Sequence, residues 1–208
     1  MPSAIEEFGS ALQLHAPEFA VELAPKHLAK LKDYYSLLLK WNARLHLVAP
    51  CSPEEFAVRH ILESLLLLKH LPPGARVADI GSGGGLPIIP CLLVRDDLHA
   101  VLIESSKKKS VFLKEALRAV HPPNRAEVLN ARFEDVPTPD AEFITCRALD
   151  KFSKLLPALI EWAPTNATFL LFAGQSMVKR IEGALPKTTV ERIPRSEKRF
   201  LVIGRVNS

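Results

Sequence analysis

Nothing in this chain is long and apolar enough to cross a bilayer. Although 48% of its 208 residues are hydrophobic, no run reaches the roughly 18–20 residues a membrane-spanning helix needs. The Leu65–Leu68 run lies between Glu63 and Lys69-His70 and reads as part of a buried helix. Cysteine is scarce: Cys51, Cys91 and Cys146 are odd in number, far apart and not in a Cys-x-x-Cys pair. That excludes a disulfide framework and a zinc knuckle, and it points to a reducing compartment. The N-terminus, Met-Pro-Ser-Ala-Ile-Glu-Glu, lacks the basic start and apolar centre of a signal peptide, so a cytoplasmic location is expected. No Ser/His/Asp or Cys/His arrangement announces a covalent nucleophile. His60 and Glu63 share a helix face but have no third ligand, so no metal site is expected.

What charge there is lies unevenly. The formal net charge is +4. Residues 1–74 hold 7 Lys+Arg against 8 Asp+Glu, whereas residues 179–208 hold 8 against 3. A basic C-terminal part suits phosphate-bearing partners, or it is an ordinary solvated surface.

Two regimes follow one another along the chain, consistent with one domain and an extension. Up to about residue 70 the apolar period is helical: residues 3–14, a longer helix opened by Pro25, and residues 54–70. In the second of these Leu28, Leu31, Tyr35, Leu38, Leu39 and Trp41 form the apolar stripe. Ser52 is placed to cap the third, with Pro53 at its first position. Pro72-Pro73-Gly74 marks a boundary between an N-terminal helical extension (1–73) and a second unit (74–208). Beyond it strands and helices alternate. Strands are expected at 75–80, 99–104, 125–130, 141–146, 167–173, 188–194 and 199–206. Helices are expected at 87–95, 106–120, 151–162 and 175–185. The fold class is therefore α/β, a seven-stranded mostly parallel sheet covered on both faces. No helix separates the last two strands, which predicts an antiparallel edge hairpin. This is the topology of Rossmann-like methyltransferases.

The chemistry concentrates at residues 77–87, Val-Ala-Asp-Ile-Gly-Ser-Gly-Gly-Gly-Leu-Pro. A short strand ends at Asp79-Ile80 and enters a turn holding Gly81, Gly83, Gly84 and Gly85. Glycines there let the backbone turn tightly and a ligand come closer than a Cβ would permit. The spacing is Asp-x-Gly-x-Gly-x-Gly. The dinucleotide fingerprint wants a sixth-position glycine where this chain has Leu86. Nineteen residues past Gly85, the strand His99–Glu104 ends in a carboxylate suited to the two hydroxyls of an adenosine ribose. Together the two strand ends describe a nucleoside-cofactor pocket, with S-adenosylmethionine favoured over NAD.

Ligands of open α/β sheets lie beyond the carboxyl ends of the strands, which adds three more places. Glu104 binds ribose or caps the next helix; Ser105 and Ser106 are better placed as caps than as cofactor contacts. Phe133 and Glu134 offer an apolar face and a polar edge for adenine, or form a local turn. Arg147 emerges at the pocket mouth, where it holds the methionine carboxylate, meets an RNA phosphate, or forms a structural ion pair. Lys107-Lys108-Lys109 opens a helix against its dipole, which phosphate contact or simple solvation explains.

In order, these motifs resemble one family, the bacterial small-subunit (16S) rRNA guanine-N7 methyltransferases, also called glucose-inhibited division protein B. The matching residues are Trp41-Asn42…Leu47, Arg59-His-Ile-Leu-Glu-Ser64, Asp79–Pro87, Glu104-Ser105…Lys108…Phe112-Leu113, Arg132-Phe-Glu134, Arg147-Ala148, Gly174 and Arg199–Ile203. The resemblance covers about residues 34–206. It implies that Gly81, Leu86, Glu104, Phe133, Glu134 and Arg147 line an S-adenosylmethionine site, to which the loop reading adds Asp79, Gly83, Gly85, Ser105 and Ser106. Arg147 is the candidate for a positioning role in catalysis. The implied partner is 16S rRNA or the small ribosomal subunit, approached by a monomer with no membrane contact. His46, Ile88 and Ala173 depart from the family's Asn, Gly and Lys; the last removes a substrate-side lysine and leaves the cofactor half untouched. The chain also lacks an Asn-Pro-Pro-Tyr motif for exocyclic amines and an activated cysteine for C5 chemistry, in keeping with N7 methylation, which needs no general base.

Overall fold

A computed structural model describes residues 2–118, 125–147 and 154–206. Seven strands form one sheet: β1 Arg76–Ile80, β2 His99–Ile103, β3 Ala126–Leu129, β4 Phe143–Cys146, β5 Thr168–Gly174, β6 Lys187–Arg192 and β7 Arg199–Arg205. Their spatial order is β3-β2-β1-β4-β5-β7-β6. The first five pair in parallel, and β7 runs antiparallel to both β5 and β6. The expected edge hairpin is present; β6 stops at Arg192, two residues short of Pro194, which has no N–H for a ladder.

Alternating side chains of each central strand feed two apolar clusters. Val77, Leu102, Leu170 and Leu201 face one, while Ala78, Ile103, Leu171 and Val202 face the other. The first cluster is covered by α1 Ala4–His15, α2 Pro25–Leu45, α3 Pro53–Phe56, α4 Glu63–Leu65, α5 Ile88–Val94 and α6 Lys107–Leu117. The second is covered by α7 Leu156–Trp162 and α8 Gln175–Ala184. The end of the helix expected at 106–120 and the start of that expected at 151–162 lie outside the described residues. No helix of the described residues is long and apolar enough to cross a membrane.

The N-terminal helices carry their own local signals. Ser3 and Glu6 make a capping box at the start of α1, and Ser52 Oγ caps α3 through the Glu55 N–H at 3.0 Å. On α2 the buried stripe is Leu31, Tyr34, Tyr35 and Leu38, whereas Leu39 is 39% exposed. Phe8, Tyr35 and Phe56 stack across α1, α2 and α3 with centroids 4.3–6.0 Å apart. The helix expected at 54–70 is not uniform. It widens to a π-helix at Ala57–Leu62, returns to α at Glu63–Leu65 and tightens to a 3₁₀ turn at Leu66–Lys69. Arg195, in the turn between β6 and β7, reaches back to His15 Nδ1 at 2.5 Å and Glu18 at 3.4 Å, tying the hairpin to the helical layer.

Candidate active site

A cavity of about 680 Å³ opens where the sheet order reverses between β1 and β4, the position at which open α/β sheets bind ligands. Its walls come from the ends of β1, β2 and β4, the turn after β3, the end of α2, and the π-helical turn.

The glycine loop forms one wall. Gly81, Gly83 and Gly85 have φ of 68°, 53° and 80°, a region that L side chains enter only with strain. Gly81 N–H and Ser82 N–H bond the Ile103 carbonyl, so the loop is tied to the end of β2. Glu104 completes that tie: its carboxylate accepts from Gly83 N–H at 2.9 Å and Ser106 N–H at 2.7 Å. Each oxygen keeps acceptor capacity for a ligand hydroxyl. Glu104 thus both secures the loop and faces the cavity. Ser106 caps α6 through Lys109 N–H, and Ser105 and Ser106 also line the cavity.

Two loop residues stand elsewhere than expected. Gly85 does not line the cavity; a Cβ there would overlap the Ile89 side chain, so its role is conformational and steric. Asp79 is also off the wall, fully buried beneath it, and neither carboxylate oxygen has a hydrogen-bond partner among the described residues. Burial pushes its pKa up to about 8, with Ser82 pulling the other way and the nearby Glu104 carboxylate adding to the rise. The remaining predicted residues, Leu86, Phe133 and Glu134, all reach the wall. Phe133 is 6% exposed and meets Trp162 edge-on at 5.6 Å; Glu134 pairs with Arg132 at 3.2 Å.

Arg147 lines the cavity, but its guanidinium turns into the helical layer. Nη1 bonds the His60 carbonyl at 3.2 Å and Ser64 Oγ at 3.1 Å; Nη2 bonds the Arg59 carbonyl and Glu63 Oε2, the latter at 3.2 Å. Of the roles open to Arg147, the structural ion pair is therefore the one observed. Arg59 and His60, whose carbonyls Arg147 takes, lie in the π-helical turn Ala57–Leu62, and Glu63 follows directly after it. Glu63, 1% exposed, also takes Arg199 of β7 at 2.6 and 3.0 Å. Burial raises the Glu63 pKa, while Arg147 and Arg199 pull it down. The triad carries two positive charges against one negative beside the cavity.

The end of α2 supplies another wall. His46 adopts φ 49° and Asn42 Oδ1 accepts from Val48 N–H at 3.0 Å, folding His46, Leu47 and Val48 onto the cavity. Tyr34 Oη donates to the Gly84 carbonyl, so α2 also clamps the loop. Trp41 packs against Phe112 of α6 at 6.1 Å.

Residues 27–203 match the family described as rRNA small subunit methyltransferase G. The chain belongs to this family. A relative of that description from Chromobacterium violaceum is 32% identical over 179 residues, covering 85% of this chain and 80% of the relative. One from Xanthomonas campestris pv. campestris is 35% identical over 167 residues, covering 80% and 74%. Among solved structures, a SAM dependent methyltransferase from Aquifex aeolicus shares the fold with a TM-score of 0.58 at 17% identity, covering 81% of this chain and 96% of that one. A ribosomal protein L11 methylase from Lactobacillus delbrueckii subsp. bulgaricus gives 0.56 at 16%, covering 72% and 80%. The sheet is that of the SAM-dependent methyltransferase fold.

In this rRNA methyltransferase, the wall and support residues that escape a reading of the sequence include Asn130, Tyr34 and His60. Asn130 Nδ2 donates to the carbonyls of Glu104 and Ser105 at 2.9 and 3.0 Å; its place at the end of β3 is a usable signal. Tyr34 hides inside an apolar stripe. His60 appears in the sequence as a rejected metal ligand and as part of the Arg59–Ser64 motif, neither of which places it on the cavity wall, yet it lines the cavity.

Proposed function

We propose that the cavity binds S-adenosylmethionine and that the protein methylates N7 of a guanine in 16S rRNA near the decoding region. The single observation that carries the cofactor half is Glu104, a carboxylate fixed by two backbone N–H groups at the cavity wall. Its free lone pairs fit the paired hydroxyls of a ribose. Phe133, Leu156 and Leu159 offer the apolar surface an adenine needs, and the volume lies within the range of small-molecule sites. Leu86 on the wall speaks against a dinucleotide, whose phosphates want glycine at that position.

The bound cofactor supplies a methyl carbon made electrophilic by its sulfonium, and guanine N7 offers a lone pair with no proton to remove. The protein's contribution is accordingly to hold the two reactants in line and exclude water. The glycine loop, clamped by Tyr34 and Glu104, presets the cofactor side. The α2 end and the π-helical turn form the wall that would meet the base. Lys107 and Lys108 are exposed at the start of α6, and Lys109 reaches the cavity; they support approach of a polyanion.

The test is calorimetry with S-adenosylhomocysteine and NADH, followed by methyl transfer to purified small subunits. Binding of the first ligand alone, lost in Glu104→Ala, is expected; tight NADH binding would overturn the reading.

A further inference from the structure

The cavity wall supplied by the N-terminal helices carries an imidazole that the proposed cofactor contacts leave unused. His60 lines the cavity from the π-helical turn, and its Nδ1 is buried with no partner among the described residues. Leaving such an atom unpaired is unfavourable. The ring is also held in place. The backbone carbonyl of His60 accepts from Arg147 and from Ser64 Oγ, and the Phe56 ring lies beside the imidazole with centroids 5.0 Å apart. With Nδ1 enclosed, Nε2 is the ring nitrogen left to meet a ligand in the cavity.

We propose that His60 is a catalytic residue that contacts the target guanine, donating an imidazole N–H to O6 and so orienting N7 toward the methyl group. This rests on the rRNA guanine reading of the same cavity. The Hoogsteen edge of guanine shows two acceptors, O6 and N7. Productive chemistry needs O6 engaged and the N7 lone pair free. A single-donor neutral imidazole meets both demands. A lysine, an arginine or an imidazolium would bring further donors and compete for N7.

The surroundings keep the ring neutral. Burial, then the charges of Arg147, Arg59 and Arg199, push the His60 pKa down to about 3. Arg147 comes from the end of β4, Arg199 from β7, and Arg59 from the same helix, where it is paired with Glu55. Glu63 is the nearby carboxylate, and it is committed to Arg147 and Arg199. His46 lines the same cavity from α2. The arginine cluster thus has a second consequence: it fixes His60 as a neutral donor throughout the neutral pH range.

The experiment compares wild type, His60→Phe and His60→Asn for S-adenosylhomocysteine affinity, melting temperature, and kcat and KM on purified small subunits between pH 6 and 8. Phe keeps the ring contact with Phe56 and removes the donor; Asn restores a neutral donor. For His60→Phe we expect unchanged cofactor affinity and kcat lower by about 100-fold, the loss typical of a removed hydrogen-bond donor to a reacting group. His60→Asn should recover about a tenth of the wild-type rate or more, and the wild-type kcat should show no inflection near pH 6.5. Wild-type kcat in His60→Phe, a parallel fall in cofactor affinity, or an inflection near pH 6.5 that His60→Phe abolishes would overturn the assignment. If the wild type itself leaves small subunits unmethylated, the substrate reading fails together with this one.

Discussion

Asp79 shows how far a motif can be read one residue at a time. The glycine spacing announces a tight loop, and the positive φ values of Gly81, Gly83 and Gly85 bear that out. The same spacing places Asp79 and Gly85 at the ligand, whereas one is buried beneath the wall and the other is needed for packing on Ile89. Burial of a side chain depends on what covers it from distant elements, and local spacing carries no trace of that. Asp79 has a thermodynamic signature. Its folded pKa, pushed up to about 8, exceeds its unfolded value, so the native state binds more protons. Its contribution to stability is therefore lost as pH rises from about 4 through 8. Asp79→Asn should flatten that decline and raise Tm at pH 8 relative to wild type by roughly 2–4 °C for each kcal/mol relieved; melting curves at pH 5 and 8 check it. An unchanged pH slope would count against a protonated Asp79.

At the scale of elements, strands and most helices are legible because their periods differ and their ends carry proline, serine or glycine. The segment from Pro53 to Lys69 is not. Widening a helix by one residue per turn moves few apolar positions off the buried face, so the pattern still reads as α-helical. The consequence for Arg147 is invisible for the same reason: its partners lie 83–88 residues away in sequence. The Arg59–Ser64 motif has its physical explanation here, as the cradle of Arg147 and Arg199. Removing one member of a buried ion network leaves uncompensated charge, at a cost of about 3–5 kcal/mol. Glu63→Ala should thus lower Tm severely, and Glu63→Gln less, as thermal or urea unfolding will show. The lysines opening α6 make a separate prediction. Lys107→Ala/Lys108→Ala should leave S-adenosylhomocysteine affinity unchanged while weakening rRNA binding. The logarithmic salt dependence should become shallower by roughly 1 for each phosphate that the variant no longer neutralises, measured by titration at several salt concentrations.

For the molecule as a whole, the composition boundary at Pro72-Pro73-Gly74 divides the sequence more sharply than it divides the packing. One apolar cluster runs from Phe8 and Leu38 through Leu67 to Leu102, Leu170 and Leu201, and the cavity takes walls from both sides of the boundary. We propose that residues 1–73 are an extension that folds only with the methyltransferase unit 74–208. Differential scanning calorimetry should then give a single transition for the full chain, and a 74–208 fragment should lack cooperative unfolding; two separable transitions would argue for independent domains. What this architecture does to RNA is tested most directly by mass-spectrometric mapping of 16S rRNA. Small subunits lacking the modification, incubated with the protein and S-adenosylmethionine, should gain one N7-methylguanosine near the decoding region, and none with the Glu104→Ala variant. Methyl groups absent from 16S rRNA, or placed on another atom or base, would contradict the account.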